Sequence, residues 1–402
     1  MKDMRDRVLI IGYDSQMIDY FLGLNYHVDS VLDYYDVIDG MDEIKDNERR
    51  FFVDDAADSA QVVNKLMEIL PLDDSYSSVI TRYEGTMTTA AVVKELFSFP
   101  REISLGNCIY RNKAFQKNVI KEFLSVAEFK VLRTFESVEN FEFEYPVVCK
   151  PKNGQGTVNT IKINNREELI KEINSFWNKK TIEILVEKLI EGEEYHVDGW
   201  ICKGQLQKFL ISKYNEPVLN VVNTARLSSV QVECSSFMYN EVEEILRELI
   251  QELSIVSGVF HMEFFKNKQG ELIFSELAMR PGGGKIVNIF ELKTGINLID
   301  VLCSLEQGND FYNKFDVDDK QVYGFSFLPF PKKKVDLENL KTDLITTFKE
   351  IVTVDIEWLD NEYPKVINNS YTRFGQIVVR SSTSNSLAKI IKKILEYYDR
   401  RY

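Results

Sequence analysis

The stretch from Val259 to Gly284 reads VFHMEFFKNKQGELIFSELAMRPGGG, and its pattern is that of a β-hairpin. Two apolar runs flank a polar turn that ends in Gly270, which is typical of two strands joined by a short loop. Glu263 and Glu276 therefore lie on paired strands, each between apolar neighbours. Two carboxylates on a mostly apolar sheet repel each other and lose hydration unless a cation neutralises them. The hairpin thus predicts a cation site, although two glutamates that merely face solvent remain an alternative.

Mg²⁺ is the cation that such a pair favours, because it binds hard oxygen ligands and takes further ligands from water and phosphate groups. Arg280 follows Glu276 by four residues, and its planar guanidinium can hold a developing anion in a bidentate manner. The glycines at 282–284 can direct backbone N–H groups to the same place. We therefore expect the reactive groups of a substrate to lie at the end of this hairpin.

A second pattern runs from Val147 to Ile161, where a strand brings Lys150 into a glycine-bearing loop and another strand follows. Glycine lets backbone N–H groups turn toward phosphate oxygens and lets the chain approach them closely. Thr157 adds a hydroxyl donor, and Lys150 adds a point charge. The loop is not a Walker loop, which would place the lysine directly after the second glycine and open a helix. The alternative is a plain hairpin turn with an incidental lysine.

A third pattern lies between Ile184 and Gly199, where a strand ends at Glu187, bends and re-enters a strand. Such a bend would expose free backbone groups at Lys188 and Leu189, which could bind the edge of an adenine ring. Glu194 follows Glu187 by seven residues and could accept hydrogen bonds from both ribose hydroxyls. The alternative is a solvated acidic turn.

The rest of the chain divides by pattern. The first hundred residues alternate strand and helix signals, which indicates a parallel sheet covered on both faces; the apolar run Val8–Ile11 suits one of its buried strands. Gly12 stands alone where a GxGxxG motif would be needed, so dinucleotide binding by this segment is rejected. Later patterns indicate an α+β unit with a mostly antiparallel sheet and predict helices at Glu241–Leu253 and Asn385–Tyr398.

Composition excludes several classes of function. The 402 residues carry a formal net charge of −14, and their lysines and arginines do not gather into blocks. Nucleic acid is therefore not an expected partner, and the acidity disfavours anionic membrane surfaces. No run approaches the ~18 apolar residues of a membrane span. The five cysteines lack CxxC spacing, which indicates reduced thiols and a cytoplasmic protein.

In chain order, these motifs resemble the ATP-grasp superfamily, which includes D-alanine–D-alanine ligase, biotin carboxylase, purine-pathway ligases and L-amino acid ligases. The resemblance covers roughly residues 78–305. The residues that carry it are Lys113, Lys150-Pro151 with its glycine loop, Glu187 with Glu194, and Glu263 with Glu276 and Arg280.

The resemblance implies an ATP site. Lys113 and Lys150 would contact the phosphates, and the loop around Gly156 and Thr157 would close over them as a lid. The lid departs mildly from the family pattern, since Thr157 and Asn159 replace the more usual serine and glycine, and asparagine tolerates a left-handed backbone. The residues implied for the adenine are Glu187, Lys188 and Leu189, and the residue implied for the ribose is Glu194.

The resemblance also implies a metal site. Glu263 and Glu276 would bind Mg²⁺, for which Mn²⁺ could substitute, and Arg280 would steady an acyl phosphate or a tetrahedral intermediate. Many members carry an asparagine two residues after the second metal glutamate, whereas this chain has Ala278. One metal site would therefore lack a protein ligand.

The implied architecture combines α/β and α+β parts in an ATP-grasp fold. An N-terminal parallel α/β (pre-ATP-grasp) domain would occupy residues 1–110, and the ATP-grasp core residues 111–305, with its lid subdomain at about 145–203. A small C-terminal α+β subdomain would occupy residues 306–402. Dimerisation is common in such families, so a homodimer is expected by analogy alone.

The function implied is that of an ATP-dependent carboxylate–amine ligase, which forms an amide or peptide bond through an acyl phosphate and releases ADP and phosphate. One alternative is an ATP-dependent carboxylase that activates bicarbonate, although no biotin-carrier motif is present. Another is a nucleotide-binding regulator without turnover, but the retained lysines, metal carboxylates and Arg280 argue against it.

The substrates would be a small carboxylic acid and an amine, with amino acids as candidates. The pocket is expected near Glu84, the segment 220–229, His261 and the loop 282–288, which includes Gly283. Arg226 could bind a substrate carboxylate, but an exposed structural arginine is the favoured interpretation. His261 lies two residues before Glu263 and so faces the same side; it could contact substrate or simply pack.

Overall fold

The computed structural model describes residues 6–34, 36, 41–70, 75–98, 110–134, 137–138, 140–178, 183–222, 224–312, 320–358 and 369–402. Three sheets organise this part of the chain. The sequence pattern predicts a strand over Thr181–Glu187; Thr181 lies outside the described residues, and the strand that the structure describes runs over Ile184–Lys188.

The N-terminal sheet is parallel, as predicted, with the strand order β3-β2-β1-β4. Leu9 and Ile11 pack on one face and Val8 and Ile10 on the other, which explains the continuous apolar run of the first strand. The elements of this region are β1 (Arg7–Ile11), α1 (Ser15–Gly23), β2 (His27–Leu32), β3 (Glu48–Phe52), α2 (Ser59–Ile69), β4 (Ser78–Ile80) and α3 (Met87–Phe97).

The end of β1 is unsuited to a dinucleotide. Asp14 caps α1 by accepting a hydrogen bond from the Met17 N–H at 2.8 Å, and it also pairs with Arg82 at 2.7 Å. A carboxylate thus occupies the helix N-terminus where a phosphate would bind. The ring of Tyr83 covers Gly12, so that a side chain at this position would collide with it. These contacts agree with the rejection of dinucleotide binding.

A second, antiparallel sheet has the order β5-β8-β6-β7. Its buried face packs against a helix through Leu169, Ile173 and Phe176. The elements are β5 (Phe129–Leu132), β6 (Val147–Pro151), β7 (Ile161–Ile163), α5 (Arg166–Asn178) and β8 (Ile184–Lys188).

The third sheet is the largest and has the antiparallel order β13-β12-β9-β10-β11-β14-β16-β15. Its strands are β9 (Gly192–Cys202), β10 (Gln205–Tyr214), β11 (Ser228–Gln231), β12 (Gly258–Asn267), β13 (Leu272–Ala278), β14 (Val322–Leu328), β15 (Ile351–Ile356) and β16 (Gly375–Ser381). Its helices are α4 (Lys113–Ile120), α6 (Met238–Glu252), α7 (Ile286–Thr294), α8 (Leu298–Glu306), α9 (Leu337–Thr347) and α10 (Ser384–Arg401).

Two predicted helices are longer than expected. Helix α6 begins at Met238, three residues before the predicted start, because Met238 joins the buried face of the helix. Helix α10 continues to Arg401, past the predicted end at Tyr398. The large sheet contains strands from both sides of residue 305, and the domain boundaries inferred from the sequence stay predictions. Within the described residues, no helix is both long enough and apolar enough to cross a membrane.

Alternation along the strands sends apolar side chains to one face of the large sheet, whereas the other face is apolar around Trp200 and Val259 and polar farther along. Val197, Phe260 and Met262 pack with α6 in one core cluster. The residues between them point to the opposite face, where the register sets Asp198 beside His261. This polar face carries the groups that we consider as a site.

Candidate active site

The two glutamates of the β12–β13 hairpin lie directly opposite each other in the strand register. A β-bulge at Ser275 allows this pairing of the two glutamates. Without the extra residue, Phe274 and Glu276 would point the same way; the bulge sends Phe274 into the core and Glu276 to the polar face beside Glu263. The predicted pairing of the carboxylates is therefore confirmed.

The donor set of this pair fits a divalent cation. Both side chains stay partly accessible, with 16% of Glu263 and 19% of Glu276 exposed. Lys113 Nζ lies 3.0 Å from Glu276 Oε2, and His261 Nε2 lies 3.4 Å from Glu263 Oε1. Burial would raise the pKa of Glu263, but the hydrogen bond and charge of His261 lower it. His261 thus favours the ionised form of Glu263, and two carboxylates side by side offer the oxygen ligands that suit Mg²⁺.

Helix α4 brings Lys113 to this pair. Asn112 caps the helix by accepting from the Phe115 N–H, and Gln116 exchanges hydrogen bonds with the backbone N–H and C=O of Leu277 on β13. Lys113 Nζ also donates to the carbonyl of Gly154 at 2.7 Å. The amine therefore lies between the glycine loop and the carboxylates predicted to bind the metal; its phosphate contact stays a prediction.

We call the space bordered by Lys113, Glu263 and Glu276 the cleft. Lys150 lies on its other side, near the end of β6. Its Nζ is 3.2 Å from Glu187 Oε2. Burial lowers the pKa of Lys150, but Glu187, Glu276 and Glu263 together raise it above its ordinary value. The same charges that form the predicted metal pair therefore act on Lys150, so the cleft contains both.

Glu187 is buried between two amines. Lys117 Nζ, which the sequence interpretation missed, lies 3.5 Å from Glu187 Oε1. Burial would raise the pKa of Glu187, but Lys117 and Lys150 lower it. Burial lowers the pKa of Lys117 to about 8, although the charge of Glu187 opposes that shift. Lys117 follows Lys113 by four residues on α4, and this helical spacing was the signal that could have identified it.

The expectation of free backbone groups at Lys188 and Leu189 is wrong for their N–H groups. The Lys188 N–H donates to the Glu128 carbonyl at 2.9 Å, and the Leu189 N–H donates to the Pro146 carbonyl at 3.3 Å. The physical reason is that Lys188 is still part of β8, whose pairing continues to the end of the strand. An adenine contact through these two N–H groups would require those bonds to open.

The glycine loop has an unusual backbone. Gly156, Thr157 and Asn159 all have left-handed φ angles, of 55°, 57° and 56°. Asn159 thus takes the conformation that the sequence allowed for it, whereas a left-handed β-branched Thr157 is uncommon. The Thr157 hydroxyl donates to the Gly156 carbonyl at 2.6 Å, so the expected phosphate donor is bound within the loop. It would have to rotate to reach a phosphate.

The loop also contacts the C-terminal region. The Ser370 N–H donates to the Gly156 carbonyl at 3.1 Å, and the ring of Tyr371 lies where a side chain at Gly156 would be. On the other side, Gln155 packs against Gly85. The loop is therefore held between the N-terminal and C-terminal parts of the chain.

Glu84 connects the N-terminal region to the site. Its Oε1 lies 2.5 Å from Arg111 Nη1, and its Oε2 lies 2.6 Å from Arg280 Nη2. Burial would raise the pKa of Glu84, but Arg280, Lys113 and Arg111 lower it to about 2. Arg111 also donates to the Asn153 carbonyl in the glycine loop. Arg111 was missed because no local pattern indicates a partner 27 residues away in the chain.

Glu194, the expected ribose ligand, faces the same cleft. Burial and the neighbouring Glu263 carboxylate raise its pKa to about 8. Its Oε2 accepts a hydrogen bond from the Val218 N–H at 2.9 Å. The ribose contact stays a prediction; besides burial, like-charge repulsion by Glu263 disfavours ionisation of Glu194.

A buried chain of hydrogen bonds runs along the polar face beside Glu263 and Glu276. Asp198 accepts from His196 at 2.5 Å and from His261 at 2.8 Å, and the other ring nitrogen of His196 contacts Ser229 at 2.7 Å. His261 in turn contacts Glu263. Although His196, Asp198 and His261 are close enough to hold a metal ion, each ring nitrogen already has a protein partner. The cluster is therefore a support for Glu263.

His261 is thus a packed residue that touches Glu263, one of the two carboxylates predicted to bind the metal. Burial would lower its pKa, but the charge of Asp198 raises it to about 10. The sequence interpretation found His261 but missed His196 and Asp198. Their alternation with the apolar Tyr195 and Val197 was the available signal.

Two remaining substrate candidates differ in outcome. Arg226 Nη2 pairs with Asp399 of α10 at 2.8 Å, which matches the structural interpretation of this arginine. Gly283 is exposed, and no atom lies within 4 Å of where its side chain would start. Gly282 beside it packs against Asp198 and leaves no room for a side chain. The loop can therefore accommodate a ligand at Gly283.

Residues 143–289 match the protein family described as "ATP-grasp domain". The chain is similar to the L-arginine-specific L-amino acid ligase of Bacillus subtilis, at 27% identity over 256 residues that make up 62% of each protein. It is also 25% identical over 211 residues to the D-alanine–D-alanine ligase of Pediococcus pentosaceus, which covers 48% of this chain and 58% of that protein. The matches span about three fifths of the length of these relatives. The resemblance inferred from the motifs is confirmed.

Solved structures show the same fold. The L-amino acid ligase of Bacillus licheniformis superposes with a TM-score of 0.74 at 16% identity and covers 97% of both chains. The carboxyaminoimidazole ribonucleotide synthase of Aspergillus clavatus, complexed with ATP, superposes with a TM-score of 0.71 at 13% identity over 99% of this chain and 100% of that one. The predicted fold class is therefore confirmed.

Proposed function

We propose, from the premise that this chain carries an ATP-grasp domain, that it is an ATP-dependent carboxylate–amine ligase. The observation that carries the proposal is the pairing of Glu263 with Glu276 in one cleft with Lys113 and Lys150. The two carboxylates can bind magnesium, and the two amines beside them can bind the phosphates of a triphosphate. ATP-grasp ligases use ATP, which supports the same nucleotide here.

The nucleotide would lie along this cleft with its phosphates between the lysines. Lys113 now bonds to Gly154 and Glu276, and Lys150 bonds to Glu187, so each amine would exchange a protein partner for phosphate oxygens. Mg²⁺, or Mn²⁺ in its place, would be held by Glu263 and Glu276 and would neutralise charge on the phosphates. Glu187 would face the adenine and Glu194 the ribose.

The reaction would begin with attack of a substrate carboxylate oxygen on the terminal phosphorus of ATP, which forms an acyl phosphate and releases ADP. The amine then attacks the acyl carbon, the carbon–oxygen bond to phosphate breaks, and the nitrogen loses a proton. Arg280 would steady the oxygen that becomes negative in the second step. Glu84 fixes its guanidinium plane through Nε at 3.2 Å and Nη2 at 2.6 Å and leaves further N–H groups for that role.

An acyl phosphate reacts readily with water, so the site must be closed during the reaction. The glycine loop is held over the cleft by Arg111, by Gln155 against Gly85 and by the Ser370 N–H. These contacts join three distant parts of the chain. They support a closed arrangement in which water is excluded from the bound intermediate.

Amino acids are the proposed acid and amine, because a relative is named for L-amino acid ligation and others for joining D-alanine. A homodimer and a cytoplasmic location stay predictions from the sequence. The test is to measure ADP release with ATP, Mg²⁺ and pairs of amino acids, and to identify products by mass spectrometry. A peptide product supports the proposal; ADP release that depends on bicarbonate would favour a carboxylase, and no release with any pair would favour a regulator.

A further inference from the structure

Lys117 is an amine enclosed by protein. None of its side chain is exposed, and its Nζ lies 3.4 Å from the Phe274 carbonyl and 5.9 Å from the centre of the Phe274 ring. Burial of an ammonium group is costly unless it is paired. Its charged partner is Glu187, whose side chain is only 8% exposed. Packing alone therefore does not explain why this buried ion pair is present.

The two oxygens of Glu187 have separate partners. Oε1 faces Lys117 at 3.5 Å, and Oε2 faces Lys150 at 3.2 Å. Lys150 has 11% of its side chain exposed and lies at the start of the glycine loop, so it can turn to a phosphate. Lys117 is enclosed beneath β13 and cannot. When Lys150 turns away, Oε2 becomes available while Oε1 keeps its counter-ion.

We propose that Lys117 is a positioning residue that keeps Glu187 ionised and oriented after Lys150 moves to the nucleotide, so that Oε2 accepts a hydrogen bond from the base. This inference rests on the proposed function, since it assigns Glu187 to the base of the bound nucleotide. A carboxylate accepts hydrogen bonds only. It therefore favours a purine with an amino group at position 6 over a purine with an oxygen there, which would face the negative charge.

The test measures binding of ADP and of inosine diphosphate by calorimetry with Mg²⁺, so it does not depend on turnover. The wild type is expected to prefer ADP. Lys117→Met should weaken ADP binding about tenfold or more, with little change for inosine diphosphate, because a hydrogen bond to a charged group is lost. Lys117→Arg, which keeps the charge, should restore part of the preference. Lys121→Met, at an exposed lysine just after the same helix, is the matched control and should behave as wild type.

A double-mutant cycle separates this role from a structural one. Glu187→Gln should itself remove the preference for ADP, and adding Lys117→Met to that variant should have no further effect on the preference. The double variant removes both charges together, so it can be compared with Glu187→Gln even if Lys117→Met alone unfolds. Equal preferences in the wild type and Lys117→Met, or additive effects in the cycle, would overturn the inference. Absence of any nucleotide binding by the wild type would instead refute the proposed function, and this inference with it.

Discussion

Replacing Glu276 by glutamine keeps the shape of the side chain and removes one of the two charges that we assign to the metal. At the observed 3.0 Å from Lys113, the ion pair provides about 5 kcal/mol of attraction at an effective dielectric constant of about 20. Desolvation and repulsion by Glu263 oppose this attraction. Lys113 also keeps its bond to the Gly154 carbonyl in the variant.

We therefore expect the free energy of unfolding to fall by only about 1–3 kcal/mol in Glu276→Gln. Magnesium-dependent ADP release should fall by about 100-fold or more, because a charged ligand of the reacting phosphate group is lost. A coupled assay over a series of Mg²⁺ concentrations measures the activity, and thermal unfolding measures the fold. Glu271→Gln, an exposed position on the same hairpin, is the control. A folded Glu276→Gln variant with the turnover and Mg²⁺ dependence of the wild type would refute the assignment.

Three further substitutions test separate parts of the account. Glu84→Gln should destabilise the protein at neutral pH. Because the pKa of Glu84 is lowered to about 2 in the folded state, the extra stability of the wild type should be lost as the pH falls from about 4.5 toward 2. Urea unfolding of both proteins across that pH range measures this loss. Gly156→Ala should lower the free energy of unfolding by about 1–2 kcal/mol, because residue 156 has a left-handed φ. It should also raise the KM for ATP, because the added side chain displaces Tyr371. Unchanged stability and KM would mean that the loop adapts freely. Arg226→Ala should leave the KM of every substrate unchanged, because Arg226 pairs with Asp399. A rise in the KM of one substrate would indicate that Arg226 binds it.

The groups that the sequence identified are those whose position follows from a local pattern. Glu263 and Glu276 could be placed together because a hairpin forces its strands to pair, and Val8–Ile11 could be read as a buried strand because its apolar run is continuous. Lys150 could be identified because it lies near the end of a strand that leads into a glycine-bearing loop. Each inference needed only residues within one or two neighbouring elements.

The missed features depend on contacts between distant parts of the chain or on local irregularity. Arg111 acquires its role from Glu84, and Lys117 from Glu187, and neither partner is near in sequence. The bulge at Ser275 reverses the alternation of side chains between the two faces along β13, and the residue types there do not predict it. The error at Lys188 arose because strand pairing extends one residue further than the pattern indicated.

The most direct measurement of the central claim is the transfer of isotopic oxygen. An amino-acid substrate labelled with ¹⁸O in its carboxylate should be incubated with ATP, Mg²⁺ and an amine, and the released phosphate analysed by mass spectrometry. If Glu263, Glu276 and the lysines of the cleft promote formation of an acyl phosphate, the phosphate will contain one labelled oxygen for each peptide formed. Unlabelled phosphate accompanying peptide formation would contradict the account.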